Sequence, residues 1–257
     1  MKVRIKFAKY GAMKFIGHLD IMRFFQKAIR RADIDIKYSE GFSPHQIMSF
    51  AAPLGVGVES VGEYFDMEVL SMTDENEMKE ALNRVMVEGV KILSVTSLPD
   101  KAKNAMASVA AAAYQIHLKE GTFAISDLND AVNAFYAQKQ IPYTKETKKS
   151  VVETDLKQGI YEIGAGETNV LADIMSAAAA MFVTDPREDR MTVPCIRMTV
   201  DASSGGNIKP TVVFEKFCAF AGCEFPSSAI QVTRMETYTN LAKEREPRRL
   251  VPLSEVE

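Results

Sequence analysis

The chain has 257 residues, of which 47% are hydrophobic and 25% charged, with three cysteines, three histidines and no tryptophan. This composition excludes an intrinsically disordered chain, because it supplies enough apolar surface for a buried core. No stretch approaches the roughly 18 uninterrupted apolar residues of a membrane span, so the sequence predicts a cytoplasmic protein without membrane contact. Cys195, Cys218 and Cys223 lack metal-ligand spacing, which favours neither a disulfide framework nor a metal site.

Charge is unevenly distributed along the chain, although the formal net charge is only −3. Residues 1–37 contain ten basic and three acidic residues, a net +7, whereas the remainder contains 21 basic and 31 acidic residues, a net −10. This asymmetry predicts a local binding site for an anionic partner in the first part of the chain.

The first half has the pattern of one α+β unit. Residues 2–7 alternate basic and apolar side chains, which predicts a strand with one buried face and one exposed basic face. Helical periodicity follows at residues 18–32, with Gly17 as the N-cap. The order strand, helix, strand, strand, helix, strand predicts a ferredoxin-like (βαββαβ) domain at residues 1–98. Its further predicted elements are extended segments at 33–37, 47–51 and 63–70, a helix at 74–87 and a strand at 90–95.

The second half predicts a related but degenerate unit. A linker at 99–113 leads into a second ferredoxin-like α+β domain at 114–240, and residues 241–257 are predicted to form a solvated tail. The predicted fold class is therefore α+β with tandem ferredoxin-like units, the second degenerate with an insertion at 159–190. Its predicted elements are strands at 114–118, 141–145, 196–200 and 230–237, and helices at 126–140 with a Ser126 cap, at 170–182 and at 210–221.

A basic surface is the strongest functional signal. Basic residues at helical spacing project together, and guanidinium groups match phosphate oxygens, so this pattern favours binding of an anion or of RNA. Exposed charged helix faces also occur merely for solubility, but Asp20 is the only acid on this face. The predicted anion-binding residues are Arg4 on strand one and Arg23, Lys27, Arg30 and Arg31 on the helix.

The loop at residues 38–45 is the second candidate region. Glycine and proline can shape such a loop around a ligand, and Phe15, Tyr38 and Phe42 could stack on bases. The alternative interpretation is a structured turn in which His45 is a hydrogen-bonding prop. The predicted pocket residues are Ser39, Gly41, Phe42, Pro44 and His45.

Two histidines raise the possibility of catalysis. His18 and His45, with Asp20 and Glu63 as carboxylate partners, could act as general acid and base on a phosphodiester. Two imidazoles could instead hold a metal, although the sequence predicts none. The alternative is a partly buried His18 bonded to backbone.

Four segments carry a resemblance to a known family: residues 15–23, 28–32, 38–45, and 53–60 with Glu63 and Tyr64. They closely resemble the N-terminal signature of the bacterial radical-SAM-linked proteins, the uncharacterised domain-of-unknown-function 2344 family. Gly17 stands where that family usually has serine, and Lys157 stands where it usually has arginine. The resemblance is dense over residues 1–70 and sparse afterwards.

The resemblance implies an accessory protein of a radical SAM enzyme. Under this hypothesis the partner enzyme supplies the iron–sulfur cluster and SAM, this chain binds no cofactor, and it recognises or presents RNA, either tRNA or rRNA. The resemblance places His18, Asp20, Ser39, Phe42, His45 and Glu63 around a specific pocket. Two alternatives stay open: an RNA-processing or RNA-modifying enzyme using His18 and His45, and a purely structural partner of the radical SAM protein.

Overall fold

The structure is a computed structural model that describes residues 1–99, 101–121, 123–146, 151–169, 192–243 and 246–256. It is a mixed α+β protein built on one large, mostly antiparallel sheet, which confirms the predicted class at that level. The predicted helix at 170–182 lies outside the described residues. Among the described residues, no helix is long and apolar enough to cross a membrane.

Helices lie between some of the strands in both halves of the chain. In chain order the strands are β1 (Lys2–Lys9), β2 (Met48–Phe50), β3 (Glu59–Glu68), β4 (Val90–Leu98), β5 (Ala111–Leu118), β6 (Pro142–Glu146), β7 (Val151–Asp155), β8 (Ile160–Asn169), β9 (Thr192–Asp201), β10 (Ile230–Asn240) and β11 (Leu250–Pro252). The helices are α1 (His18–Arg31), α2 (Glu75–Asn83), α3 (Ala105–Ser108), α4 (Leu128–Ala137) and α5 (Pro210–Ala221).

One sheet runs through both halves in the order β4-β1-β3-β10-β5-β9-β8. The three-residue strand β2 pairs with one end of β3, and β11 pairs with one end of β10. A parallel pairing of β3 with β10, which matches Glu59 with Thr233 and Ser60 with Arg234, joins the halves. The other pairings of the main sheet are antiparallel, and β6 and β7 form a separate hairpin.

Each half has its own apolar core beneath two helices. In the first half, Phe25 of α1 and Leu82 of α2 pack on Ile5 and Phe65 of the sheet. In the second half, Phe135 of α4 and Phe217 of α5 pack on side chains that include Ile116. Apolar side chains at helical spacing on these helices therefore meet the alternating apolar residues of the strands, as amphipathic patterning requires.

Strand β1 is buried along most of its length, so the predicted exposed basic face is wrong. Arg4 is 1% exposed and makes a bidentate ion pair with Asp66, at 2.8 and 3.0 Å. Its guanidinium also donates to the backbone oxygens of Lys103 and Leu253. The segment leading into β5 and the end of the chain thus cover this face of the sheet.

The chain end therefore differs from the predicted solvated tail. Strand β11 pairs with β10, and Leu253 is fully buried. The pairing of β11 with β10 and the burial of Leu253 offset the entropy cost of ordering this segment. The charge-rich sequence of this segment is typical of a solvated tail, so it does not predict the strand or the burial of Leu253.

Three further predictions need correction. Residues 33–37 form only isolated contacts to the sheet instead of a strand, with a bridge at Ile36. Helix α4 is capped by Asp127, whose side chain accepts from the Asp130 amide, and not by Ser126. The predicted insertion at 159–190 is partly wrong, since β8 pairs with β9 in the main sheet.

We expect loss of the Asp66 carboxylate to cost far more than loss of a carboxylate in an exposed pair. Asp66→Asn would leave the buried Arg4 guanidinium without a counter-charge, so the free energy of unfolding should fall by about 3–5 kcal/mol. As a control, Glu68→Gln breaks the exposed 3.1 Å pair with Lys37 and should cost less than about 1 kcal/mol. Urea unfolding measures both; equal losses would contradict the role assigned to Asp66.

Candidate functional site

Helix α1 presents the predicted basic face to solvent. Its apolar stripe, Ile21, Phe25, Ala28 and Ile29, is buried, so helical geometry forces the intervening basic residues outward. The exposed basic side chains are those of Arg23, Lys27, Arg30 and Arg31.

These four cations have little internal compensation. Arg23 lies 3.2 Å from Asp20 in an exposed pair, and Arg30 donates through Nε to the Gln26 backbone oxygen at 3.2 Å. Within the described part of the chain, no carboxylate forms an ion pair with Lys27, Arg30 or Arg31. Arg30 and Arg31 also lie in the last turn, where positive charge complements the helix dipole. The charge of Arg30 and Arg31 is therefore offset in part by the negative end of the helix dipole but not by an ion-paired carboxylate of the described residues.

Strand β1 contributes nothing to this surface. Arg4, predicted to bind anions, is buried against Asp66 as described above, so that prediction is wrong. Lys2 donates to the Ala102 oxygen, and Lys6 pairs with Glu236 at 2.6 Å. The net charge of +7 in residues 1–37 thus comes partly from a helix face exposed to solvent and partly from a strand whose basic side chains have partners within the protein.

The loop at residues 38–45 is a turn held by its own hydrogen bonds. The Ser39 amide donates to the His45 oxygen at 2.8 Å, the His45 amide donates to Ser39 Oγ at 3.1 Å, and His45 Nδ1 lies 2.8 Å from the same Oγ. Gly41 has φ +108°, a conformation that side chains disfavour. His45 therefore has the propping role that was the alternative interpretation, and Phe42 and Pro44 protrude into solvent.

His18 lies elsewhere, beside a small cavity at the start of α1. Its ring meets Phe50 edge to face at 5.5 Å, and the cavity is also lined by Lys9 and Glu63. Gln46, the residue after His45, contacts the backbone oxygen of Gln26, which lies eight residues or about 12 Å along α1 from His18. The structure therefore does not bring His18 and His45 together as an acid–base pair, and Asp20 is paired with Arg23.

Glu63 belongs to a buried ion-pair cluster at the junction of β3 and β10. Its Oε1 accepts from Ser60 at 2.7 Å and from Arg234 Nη1 at 3.0 Å. Arg234 also donates to the Tyr114 hydroxyl at 3.1 Å and to the Pro53 oxygen at 3.4 Å. These contacts give the Glu63 carboxylate buried hydrogen-bond donors, so the primary role of Glu63 is to link β3 to β10.

Lys9 lies on the same cavity and is also buried. Its Nζ donates to the Ile16 oxygen at 2.8 Å. Burial lowers the pKa of Lys9, the Glu63 carboxylate opposes this shift, and Arg234 adds to it. Sequence reasoning missed Lys9 and the role of Arg234, because only the fold brings residues so distant in the chain together.

A second polar cluster lies where β5 and β10 pair. Lys14 Nζ forms an ion pair with Glu59 Oε1 at 3.2 Å and donates a hydrogen bond to Gln231 Oε1 at 2.7 Å. Beside it, three buried atoms have no hydrogen-bond partner among the described residues: Gln115 Oε1, His117 Nδ1 and Thr233 Oγ1. Burial lowers the pKa of His117, while Glu59 opposes this shift and Lys14 adds to it. Burial in this cluster therefore disfavours the charged form of His117.

Two chemical properties of the described residues bear on function. No group of three or more His, Cys, Asp or Glu side chains among them is arranged to hold a metal ion. Burial raises the pKa of Cys218 to about 12, with a further contribution from neighbouring Cys223. Cys218 is therefore a packing residue in α5 and a poor nucleophile at neutral pH.

We expect His117 to make the protein less stable in mild acid. Its folded-state pKa lies below the value of 6.5 for the free side chain. Below about pH 6.5 the unfolded chain binds a proton that the folded chain does not, so stability falls as pH decreases, by up to about 1.4 kcal/mol per pH unit. His117→Gln should remove this loss in urea unfolding between pH 7.5 and 5.

The control is His45→Gln, which removes an exposed imidazole at the base of the 38–45 turn, far from the β5–β10 cluster in the chain. This variant should keep the acid sensitivity of the wild type. If His117→Gln lost stability with decreasing pH as steeply as His45→Gln does, His117 would not be the source of the effect.

Comparison with known proteins gives one result at the level of the family. No curated protein matches the chain in a sequence search. A family model matches residues 2–210, which include the basic helix, the propped turn and the Glu63 strand but exclude Arg234. This match spans most of the chain, which therefore belongs to the family described as "uncharacterized protein conserved in bacteria (DUF2344)".

Proposed function

We propose that this protein binds RNA through the exposed basic face of α1. The observation that carries the proposal is the set of three cations, Lys27, Arg30 and Arg31, that lack a carboxylate partner among the described residues. Polyanion binding releases counterions and gains most where protein cations are not already neutralised by protein carboxylates.

The charge of the rest of the molecule favours an RNA contact at one surface over an RNA that wraps around the protein. Outside residues 1–37 the chain has a net charge of −10, which repels a polyanion from other surfaces. The RNA would therefore dock along one helix, with guanidinium groups on phosphates fixing its position. The candidate RNA is tRNA or rRNA.

The protein would act as an accessory to a radical SAM enzyme, which supplies the iron–sulfur cluster and SAM. Support for this partner is the resemblance of residues 15–23, 38–45 and 53–60 to the radical-SAM-linked signature. In this scheme the present chain recognises the RNA and the partner performs the chemistry. The separate positions of His18 and His45 favour recognition over catalysis by this chain.

We also infer that the two halves are related ferredoxin-like units. The strand orders β4-β1-β3-β2 and β10-β5-β9-β8 support this inference, because both are antiparallel and are interleaved with two helices in the same chain order. Under this assignment the β6-β7 hairpin is the insertion in the second unit.

Charge reversal at the end of α1 tests RNA binding. Arg30→Glu combined with Arg31→Glu should lower affinity for total tRNA or rRNA roughly tenfold or more in about 0.1 M salt, since two phosphate contacts become repulsive. The single neutralisation Arg30→Gln should reduce the slope of log affinity against log salt by about 0.7–0.9. Gel shift across a salt series measures both.

The matched control is Lys101→Glu combined with Lys139→Glu, which reverses two exposed cations outside α1. It should leave affinity nearly unchanged, and thermal unfolding should show that both double variants fold. Equal RNA affinity in the α1 variant and the control would overturn the proposal. Loss of co-purified protein without loss of RNA binding in the α1 variant would instead indicate a structural partner role.

Asp20 gives a test in the opposite direction. Asp20→Asn removes the carboxylate that pairs with Arg23 at 3.2 Å, so RNA affinity should rise roughly two- to fivefold. Glu224→Gln, which neutralises an exposed carboxylate just after α5, is the control and should have little effect. Weaker binding by Asp20→Asn would mean that Asp20 contacts the RNA directly.

A further inference from the structure

We propose that the RNA segment bound beside α1 is single-stranded and that one of its unstacked bases stacks on Phe42. This inference rests on the proposed function, because it assigns a substrate class to the same surface. It is carried by the exposure of Phe42, by the hydrogen bonds that fix its loop and by the contact between that loop and α1.

Phe42 is an apolar side chain held in water. It is fully exposed at the tip of the turn, although an aromatic ring of this size gains free energy by burial. Ser39 and His45 are joined by three short contacts at the base of the turn, which constrain the backbone that carries Phe42. The loop therefore presents an aromatic platform at low entropic cost to a ligand.

The turn is attached directly to the basic helix. Gln46 follows His45, is buried, and donates through Nε2 to the Gln26 backbone oxygen of α1 at 3.2 Å and to the Tyr38 hydroxyl at 3.5 Å. Arg30 Nε donates to the same Gln26 oxygen. One carbonyl of α1 thus connects the base of the aromatic turn with a cation of the basic face.

The helix and the attached loop together form a surface that combines basic and aromatic side chains. Lys27 and Arg30 project from the helix turns next to Gln26, and exposed Tyr38 and Phe42 project from the adjoining loop. A nucleic acid strand carries the complementary pair of features, with anionic phosphates along one edge and apolar bases along the other. An acidic protein surface would match the cations but not the platform.

A base must leave its helix before it can stack on a side chain. In an A-form duplex the bases are stacked on one another and the major groove is too narrow for side chains to enter. Single-stranded loops and ends can offer unstacked bases without this cost, and aromatic stacking of this type tolerates any base. The geometry thus favours a loop or an end of a folded RNA over its paired stems.

The test compares two forms of one RNA with the full-length protein. The probes are a fluorescently labelled 20-nucleotide RNA without self-complementarity and the same strand annealed to its complement. Wild type should bind the single strand more tightly than the duplex. Phe42→Ala should weaken single-strand binding roughly 5- to 150-fold, the fold-change that corresponds to one lost stack. Phe42→Trp should retain or improve it.

The matched control is Phe220→Ala, which truncates another exposed phenylalanine, on α5; it should leave both affinities unchanged. Preferential binding of the duplex, or equal single-strand binding by wild type and Phe42→Ala, would overturn the inference. If Phe42→Ala instead lost a co-purifying protein, with RNA binding intact, the loop would be a protein contact.

These outcomes are distinct from failure of the proposed function. Charge reversal at Arg30 and Arg31 lowers affinity for both probes if α1 binds RNA, whatever the strandedness. If charge reversal at Arg30 and Arg31 abolished RNA binding but Phe42→Ala did not change it, the proposal that α1 binds RNA would stand. The proposal that a base stacks on Phe42 would be overturned.

Discussion

The ion pair between Glu63 and Arg234 determines how the two halves of the molecule fit together. It joins β3 to β10 in the interior, at the one parallel pairing of the main sheet. Burying these two charges is tolerable because Ser60, Tyr114 and Pro53 supply the remaining hydrogen bonds. Removing either partner would leave the other as an uncompensated charge in the core. Each residue of the pair therefore depends on the other, and the close pairing of the two halves depends on both.

Residues 53–58, which precede β3, contact both the second half of the sheet and the residues that lead into α1. The Pro53 oxygen accepts from Arg234, and the Gly57 amide donates to the Lys14 oxygen while its own oxygen accepts from Gln231. Residues that lead into α1 are thus tied to the second half of the sheet. The basic helix is consequently anchored to both halves of the sheet, and the RNA-binding surface that we propose would be presented from a fixed base.

Sequence reasoning succeeded where the signal was local. The 3.6-residue periodicity of α1 placed Arg23, Lys27 and Arg30 on an exposed face, and Pro210 marked the first residue of α5. It failed at Arg4, because alternating basic residues on β1 look exposed unless the covering segments, which lie about 100 and 250 residues further along the chain, are known. The pairing of Glu63 with Arg234 has the same character. Contacts between distant segments leave no periodicity to read.

The position of β10 has a consequence for where the folded unit ends. The family match stops at residue 210, yet β10 lies in the middle of the sheet between β3 and β5. A fragment that ended at that limit would lack the central strand and would carry two unpaired strand edges inside its own sheet. Such edges recruit other chains. The shortest piece of this protein that keeps the main sheet continuous therefore extends through β10, and the limit of the family match is not a folding boundary.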